Sequence, residues 1–306
     1  MIPAVSPNDQ LFLADISNVQ SQINTAEQQV SSGLKISKPS DSPDQMEELM
    51  QIRADLDRNS QVTNNLAVVQ SETDPAEQAL ETATQLMDQA ITLAAQGANG
   101  TETATSRQAM AQQATSLLQQ MVGLSQTQVL GRYVFSGDQP SLASYQVDLA
   151  APNGVDRLIT PTATQQIVDA SGVSFTPAET AQTIFDHRNP DDSLAPDNVF
   201  AALNSLIVSL QNNDQAGITT ATNSLHTASD YLNSQLSFYG SVQDRIQYAQ
   251  TYSSNYQVQL QTNLSNVQDA DITQAAVQLS QSTTDLNAAM AAEAKIPRST
   301  LFNFLA

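Results

Sequence analysis

The sequence predicts a mainly α protein with a small β-rich insertion, its long-helix rod and coiled-coil bundle built from both chain ends. Two observations carry this. Apolar residues recur at alternating four- and three-residue spacing near both ends, which is the seam of packed helices. Six of the twelve prolines fall between Pro140 and Pro196, where short alternating runs replace that pattern.

Composition agrees. Of 306 residues, 40% are hydrophobic, only 5% are aromatic, and there is no Trp. Aromatics dominate the energetics of thick cores, so their scarcity favours slender helices packed side by side. The net charge is −20, from 31 acids against 11 bases. Phosphate binding needs clustered Lys and Arg, so nucleic acid is not the expected partner. An anionic membrane surface is disfavoured for the same reason. There is no cysteine, hence no disulfide frame, thiolate metal site or Cys nucleophile. Residues 1–10 lack the basic and apolar regions of a cleaved signal peptide. No apolar run approaches the roughly 20 residues needed to span a bilayer.

The first helix is read from Phe12, Ile16, Val19, Ile23, Ala26 and Val30, with Gly33 as its stop. Residues 38–44 are turn chemistry (Lys-Pro-Ser-Asp-Ser-Pro-Asp). Asp44 with Glu47 three residues on has capping-box spacing. The second helix carries Leu49, Ile52, Val62, Leu66, Val69, Thr73, Ala76, Leu80, Ala83, Met87, Ala90 and Ala94 on one face. Unbroken from Asp44 to Gln96 it would be a rod of about 80 Å. Asp74-Pro75-Ala76-Glu77 reads as a fresh helix start, so a kink or restart is expected at Thr73–Asp74. A third helix is expected over 103–129, with Met110, Ala114, Leu117, Met121 and Leu124 on its inner face.

The middle reads as short strands: Arg132–Phe135, Tyr145–Leu149, Arg157–Ile159, Gln166–Val168 and Val173–Phe175, split by turn residues. Helix resumes near Asp197, with Leu203, Leu206, Ile207 and Leu210 behind it, and again from about Gln215. Tyr248, Tyr252 and Tyr256 recur every four residues and are read as helix packing. Asp271 is expected to cap a last helix with Ile272, Ala275, Leu279, Ser282, Leu286 and Ala289 at heptad spacing. Pro297 ends it, and an apolar tail follows with Leu301, Phe302, Phe304 and Leu305. The assembly-interface candidates are these apolar residues of the two terminal seams and the tail. Seams this short gain most of their stability from a partner helix.

Three stretches resemble the flagellin family. Ser31-Ser-Gly-Leu-Lys-Ile-Ser-Lys-Pro-Ser-Asp-Ser-Pro43 is similar to the family's turn after its first helix. Gly131-Arg-Tyr-Val-Phe-Ser-Gly137 and the closing Ser299-Thr-Leu-Phe-Asn-Phe-Leu305 are closer to the family's hook–filament junction branch than to filament flagellins. The likeness covers about residues 10–137 and 240–305. Pro75 departs from it, and residues 138–195 carry none of it. The resemblance implies a layered subunit: a terminal coiled-coil layer (1–38 with 266–306), a helical rod (39–137 with 196–265) and a β-rich outer domain (138–195). It implies a non-enzymatic structural adaptor between flagellar hook and filament, extracellular on the bacterial flagellum. Copies of itself in a ring, a neighbouring hook-associated protein and filament flagellin are the implied partners. Export through the flagellar type III channel without a cleaved signal, escorted by a chaperone on the C-terminal region, is implied as well. A filament flagellin and a secreted coiled-coil adhesin are the alternatives.

No nucleophile elbow, phosphate loop or dinucleotide fingerprint is present. His187 and His226 read as exposed side chains. Asp191-Asp192 lacks the Gly and closing Glu of a calcium loop. Neither sequon (Asn99-Gly-Thr101, Asn263-Leu-Ser265) falls where a glycan is expected. No catalytic residue, cofactor or metal ligand is assigned.

Overall fold

The computed structural model describes residues 7–295. The tail positions Leu301, Phe302, Phe304 and Leu305, and Pro297, lie outside the described residues. Seven helices occur among them: α1 (Pro7–Ser32), α2 (Pro43–Gly97), α3 (Ala104–Ser125), α4 (Ala181–Phe185), α5 (Val199–Gln211), α6 (Gln215–Gln268) and α7 (Ile272–Glu293). The chain divides into two compact units. One holds residues up to Arg58 together with those from Tyr256 onward; the other is Asn59–Asn255.

α1 stops where predicted. Gly33 takes φ +73°, a left-handed conformation open to glycine at little cost. Its N–H donates to the Gln29 carbonyl at 2.9 Å. α2 begins one residue before Asp44, at Pro43. Proline suits this first helical position because its missing N–H would have no partner there. The Lys38–Asp41 turn is tied by the Asp41 carboxylate, which accepts from the N–H of Ser37 and of Lys38. Those backbone donors hold the Asp41 carboxyl below its usual range.

The expected restart at Thr73–Asp74 does not occur: α2 runs 55 residues with Pro75 inside it. An interior proline costs about 3 kcal/mol. Packing offsets the loss here. Thr73 and Ala76, on either side, are buried, and Gln243 Nε2 of α6 donates to Asp74 Oδ1 at 2.6 Å. The seam from Leu66 to Ala94 is buried as its spacing predicts.

α3 ends at Ser125, short of the predicted 129. Gln128–Val129 instead form strand β1, paired antiparallel with β2 (Arg132–Tyr133). The turn between them places both Leu130 (φ +50°) and Gly131 (φ +78°) in the left-handed region. Two further antiparallel pairs follow: β3 (Tyr145–Val147) with β4 (Val155–Arg157), and β5 (Ile167–Val168) with β6 (Ser174–Phe175). The strands are shorter than read from sequence, and each pair stands as a separate two-stranded piece. Turn residues between them leave too few alternating positions for a common sheet. α4, absent from the sequence reading, is a single turn or so capped by Thr180, whose side chain accepts from Thr183 N.

The core of the second unit joins the inner faces of α2, α3, α5 and α6. Phe135 meets Phe185 and Tyr239 edge-on, at ring-centroid distances of 5.7 and 6.3 Å. Phe200 lies against Tyr145 and Phe185. These few aromatics therefore sit together, where the insertion covers the helices.

Candidate assembly interface

The two terminal helices run antiparallel within the first unit. Gly33 O accepts from Ala270 N at 2.9 Å, and Lys35 N donates to Gln268 O at 2.7 Å. Leu34 and Asp269 form an isolated antiparallel bridge. Farther along, Ser282 Oγ reaches Gln22 Oε1 at 3.5 Å. Asp271 caps α7 as predicted, its carboxylate accepting from Gln274 N at 3.0 Å.

This arrangement brings the two predicted seams to the same interface. On α1, Ile23 and Ala26 are buried, while Phe12, Ile16, Val19 and Val30 are half-buried. On α7, Ala275 and Ser282 are buried, while Leu279, Leu286 and Ala289 are half-buried. Ile272, in the first turn, remains 48% exposed. Two helices alone thus cover only the middle of each seam. Apolar side chains off the seam stay in solvent: Leu11 (66% exposed) and Leu13 on α1, Val277 and Met290 on α7. Such an edge suits further helices packing alongside.

The second unit holds polar clusters that sequence reading missed. Asn59 Nδ2 donates to Ser253 O at 2.9 Å, Ser253 Oγ donates to Asn59 Oδ1 at 2.7 Å, and the hydroxyls of Thr63 and Ser253 are 2.7 Å apart. Asn59 and Ser253 are both buried. A buried polar layer between helices fixes their register, because any slip strands its donors and acceptors. The only signal in the sequence was a polar residue on each apolar row.

Asp186 is the centre of another cluster. Its fully buried carboxylate accepts from Asn198 Nδ2 (2.8 Å), Arg188 Nε (2.8 Å), Asn153 Nδ2 (2.9 Å) and Tyr145 Oη (3.2 Å). Burial, then the Asp186 charge, pushes the Tyr145 phenol well above its ordinary range. Arg157 pairs with Asp192 through two nitrogens, at 2.9 and 2.7 Å, which lowers the Asp192 pKa. These groups are satisfied by one another and tie the insertion to the start of α5.

Arg107, also buried, donates to the carbonyls of Gly97 and Asn99 and to Asn213 Oδ1. It thereby neutralises the carbonyl end of α2. His187 Nδ1 lies 2.7 Å from Asp197 Oδ1, and its ring stacks on Tyr231. Burial and then the charges of Asp197 and Glu179 push Tyr231 up to about 12. Among the described residues, no three His, Cys, Asp or Glu side chains are placed to hold a metal ion, and no helix is long and apolar enough to cross a membrane.

Tyr248 departs from the reading of the tyrosine row as packing. Val242, Ile246, Ala249 and Ser253 form the buried face of α6 at this level, and Tyr248 is 70% exposed.

Two terminal helices folded back on each other, with apolar edges left over, have the form of a structural subunit with room for further helices alongside. The comparisons with known proteins identify the class. Residues 9–139 match the model of the bacterial flagellin N-terminal helical region, and residues 215–305 match that of the bacterial flagellin C-terminal helical region. The chain belongs to the flagellin family.

Solved structures share the fold. A candidate flagellar hook-associated protein from Vibrio parahaemolyticus is 18% identical with a TM-score of 0.64, the match covering 75% of this chain and 100% of that one. FlgL of Bacillus cereus is 18% identical with a TM-score of 0.55, covering 72% and 100%. Hook-associated protein 3 of Legionella pneumophila is 13% identical with a TM-score of 0.59, covering 71% and 98%. No curated protein matches the sequence.

Proposed function

We propose that this chain is a non-enzymatic structural adaptor at the junction of the flagellar hook and filament. The observation that carries the reading is the terminal unit. Its α1 and α7 seams face each other, yet leave Leu11, Leu13, Val277 and Met290 exposed for neighbouring helices. The chain's fold is also that of proteins described as hook-associated or junction proteins, which it matches over nearly their whole lengths. In the assembly, copies stand in a ring between a neighbouring hook-associated protein and filament flagellin. The assembly interface comprises Phe12, Ile16, Val19, Ile23, Ala26, Val30, Ile272, Ala275, Leu279, Leu286 and Ala289, continued by Leu301, Phe302, Phe304 and Leu305. The layer boundaries stand at 38/39, 137/138, 195/196 and 265/266. Export proceeds without a cleaved signal, with a chaperone on the C-terminal region.

Assembly and folding are coupled in this reading. Each Leu or Ile buried adds roughly 1.5–3 kcal/mol, against ordering entropy of about 1–2 kcal/mol per residue. Substituting Ile23→Asp or Leu279→Asp is expected to leave residues 59–255 folded and to abolish incorporation and swimming. Normal motility of either mutant overturns the proposal. The family models also admit a filament subunit. Long filaments grown by the purified chain on filament seeds would select that reading, and binding confined to hook ends would exclude it.

A further inference from the structure

The dipeptide Asn-Gly occurs twice, at Asn99–Gly100 and at Asn153–Gly154. In such a pair the glycine nitrogen, unshielded by a Cβ, lies within reach of the asparagine side-chain carbonyl carbon. The two copies have opposite surroundings. Asn153 is buried, and its Nδ2 donates to Asp186 Oδ1 at 2.9 Å. Gly154 N donates to Ala151 O at 3.0 Å. A Cβ on Gly154 would lie 2.8 Å from Leu118 Cδ2, so this segment is tightly packed.

Asn99 and Gly100 are exposed, in the turn between α2 and α3. Among the described residues, Gly100 N–H donates no hydrogen bond. Asn99 Oδ1 accepts from Thr101 N at 3.2 Å and from Thr101 Oγ1 at 3.1 Å. These bonds hold the Asn99 side chain back over the Gly100 peptide, so the reacting groups are neighbours in advance. They also aim two donors at the oxygen on which charge develops when a nucleophile adds to Cγ. Gly100 is outside the left-handed region, and a Cβ there would make only an ordinary contact, 3.7 Å from Gln215 Nε2. The fold itself therefore does not require glycine at this position.

We propose that Asn99–Gly100 is a self-modifying site, where the chain converts its own asparagine to aspartate or isoaspartate. Gly100 N attacks Asn99 Cγ. The N–Cγ bond forms, the Cγ–Nδ2 bond breaks, and Nδ2 leaves as ammonia with the Gly100 proton. Water, the one co-reactant, then opens the five-membered imide at Cγ to give aspartate, or at the main-chain carbonyl carbon to give isoaspartate. Nothing is oxidised or reduced. Either product puts a carboxylate beside Arg107, which is buried yet donates here only to neutral oxygens, those of Gly97, Asn99 and Asn213. Isoaspartate also shifts by one methylene the Asn99 carbonyl that Arg107 holds. The turn thus gains negative charge with age. This inference is independent of the adaptor reading.

The test holds the full-length protein in mildly alkaline buffer, folded or in urea. Peptides are then mapped by mass spectrometry, with fragmentation that separates aspartate from isoaspartate. In the folded chain Asn99 is expected to exchange NH2 for OH more than about tenfold faster than Asn153, whose reaction waits on local opening. In urea the two are expected to convert alike. Gly100→Ala is expected to slow Asn99 by about tenfold, because its Cβ shields the nitrogen. Thr101→Val is expected to slow it several-fold through loss of the hydroxyl donor, and Thr101→Ser to react as wild type. Helical circular dichroism should be unchanged in all three variants. Equal conversion of Asn99 and Asn153 in the folded chain, or no conversion of Asn99, overturns the inference. Undiminished conversion in Thr101→Val overturns the role given to the Thr101 donors.

Discussion

The two units share α2 and α6 yet are held together differently. Residues 59–255 enclose a continuous core in which Phe135, Phe185, Phe200, Tyr145 and Tyr239 are fully buried. Among the described residues, the unit of the chain ends buries Ile23, Ala26, Ile36, Leu49, Ile52, Leu260 and Ala275, with no aromatic among them. Four helices and a covering insertion can enclose a core; two or three helices side by side cannot. The first arrangement is complete in one chain. The second leaves Leu11, Leu13, Val277 and Met290 in solvent. Hydrogen exchange of the free protein is expected to reflect this, slow in α3 and α5 and fast in α1 and α7.

The sharpest break of the comparison is at Asp186. Asp186→Ala removes a buried carboxylate, taking the acceptor of Asn153 Nδ2 and the charged partner of Arg188 Nε. A loss of about 3–5 kcal/mol is expected, read as a lower urea midpoint, with α1 and α7 exchange unchanged. A stability change below 1 kcal/mol would place the strength of this unit elsewhere.

A smaller effect is expected at the polar layer. Ser253→Ala leaves Asn59 Oδ1 without its hydroxyl donor, at a cost of about 1–3 kcal/mol. The double variant Asn59→Leu with Ser253→Ala is expected to recover most of that stability. It should also relax helix register, seen as new crosslinks between cysteines placed one turn out of step. Recovery without such crosslinks would show that core packing alone sets the register.

The smallest effect is at Glu179. Burial raises its pKa, opposed by a hydrogen bond from Thr183. The folded state therefore holds this proton to higher pH than the unfolded chain. Stability falls as pH rises from the ordinary glutamate range through the raised native value. Glu179→Gln is expected to flatten that slope and raise Tm slightly at pH 7. An unchanged slope would refute the burial argument.

Helices were legible wherever a heptad persisted. The row from Leu66 to Ala94 and the seams of α1 and α7 were read directly from spacing. Pro75 misled because local capping chemistry outranks neither Thr73 and Ala76 burial nor the Gln243–Asp74 bond, which only the folded chain reveals. The insertion was legible as interrupted strands, but not as three separate pairs, since runs this short carry no signal of which neighbours pair. Tyr248 misled for the opposite reason. A four-residue repeat marks a flank of a helix but not which flank faces the core. In the candidate interface, the seams were visible in the sequence; the exposed edge at Leu11, Leu13, Val277 and Met290 needed the structure.

The short backbone bridge between Gly33–Lys35 and Gln268–Ala270 has a consequence for the order of folding. It joins positions 237 residues apart. Once α2 and α6 have paired at Asn59 and Ser253, only the segments 33–59 and 253–270 remain to be closed. The shorter loop lowers the entropy of closure by roughly 1.5 kcal/mol. Closing the ends is therefore a late event that follows the zipping of the long helices. A chain emerging as an extended thread would have its middle in place before its ends met, and its ends would stay open to neighbours longest.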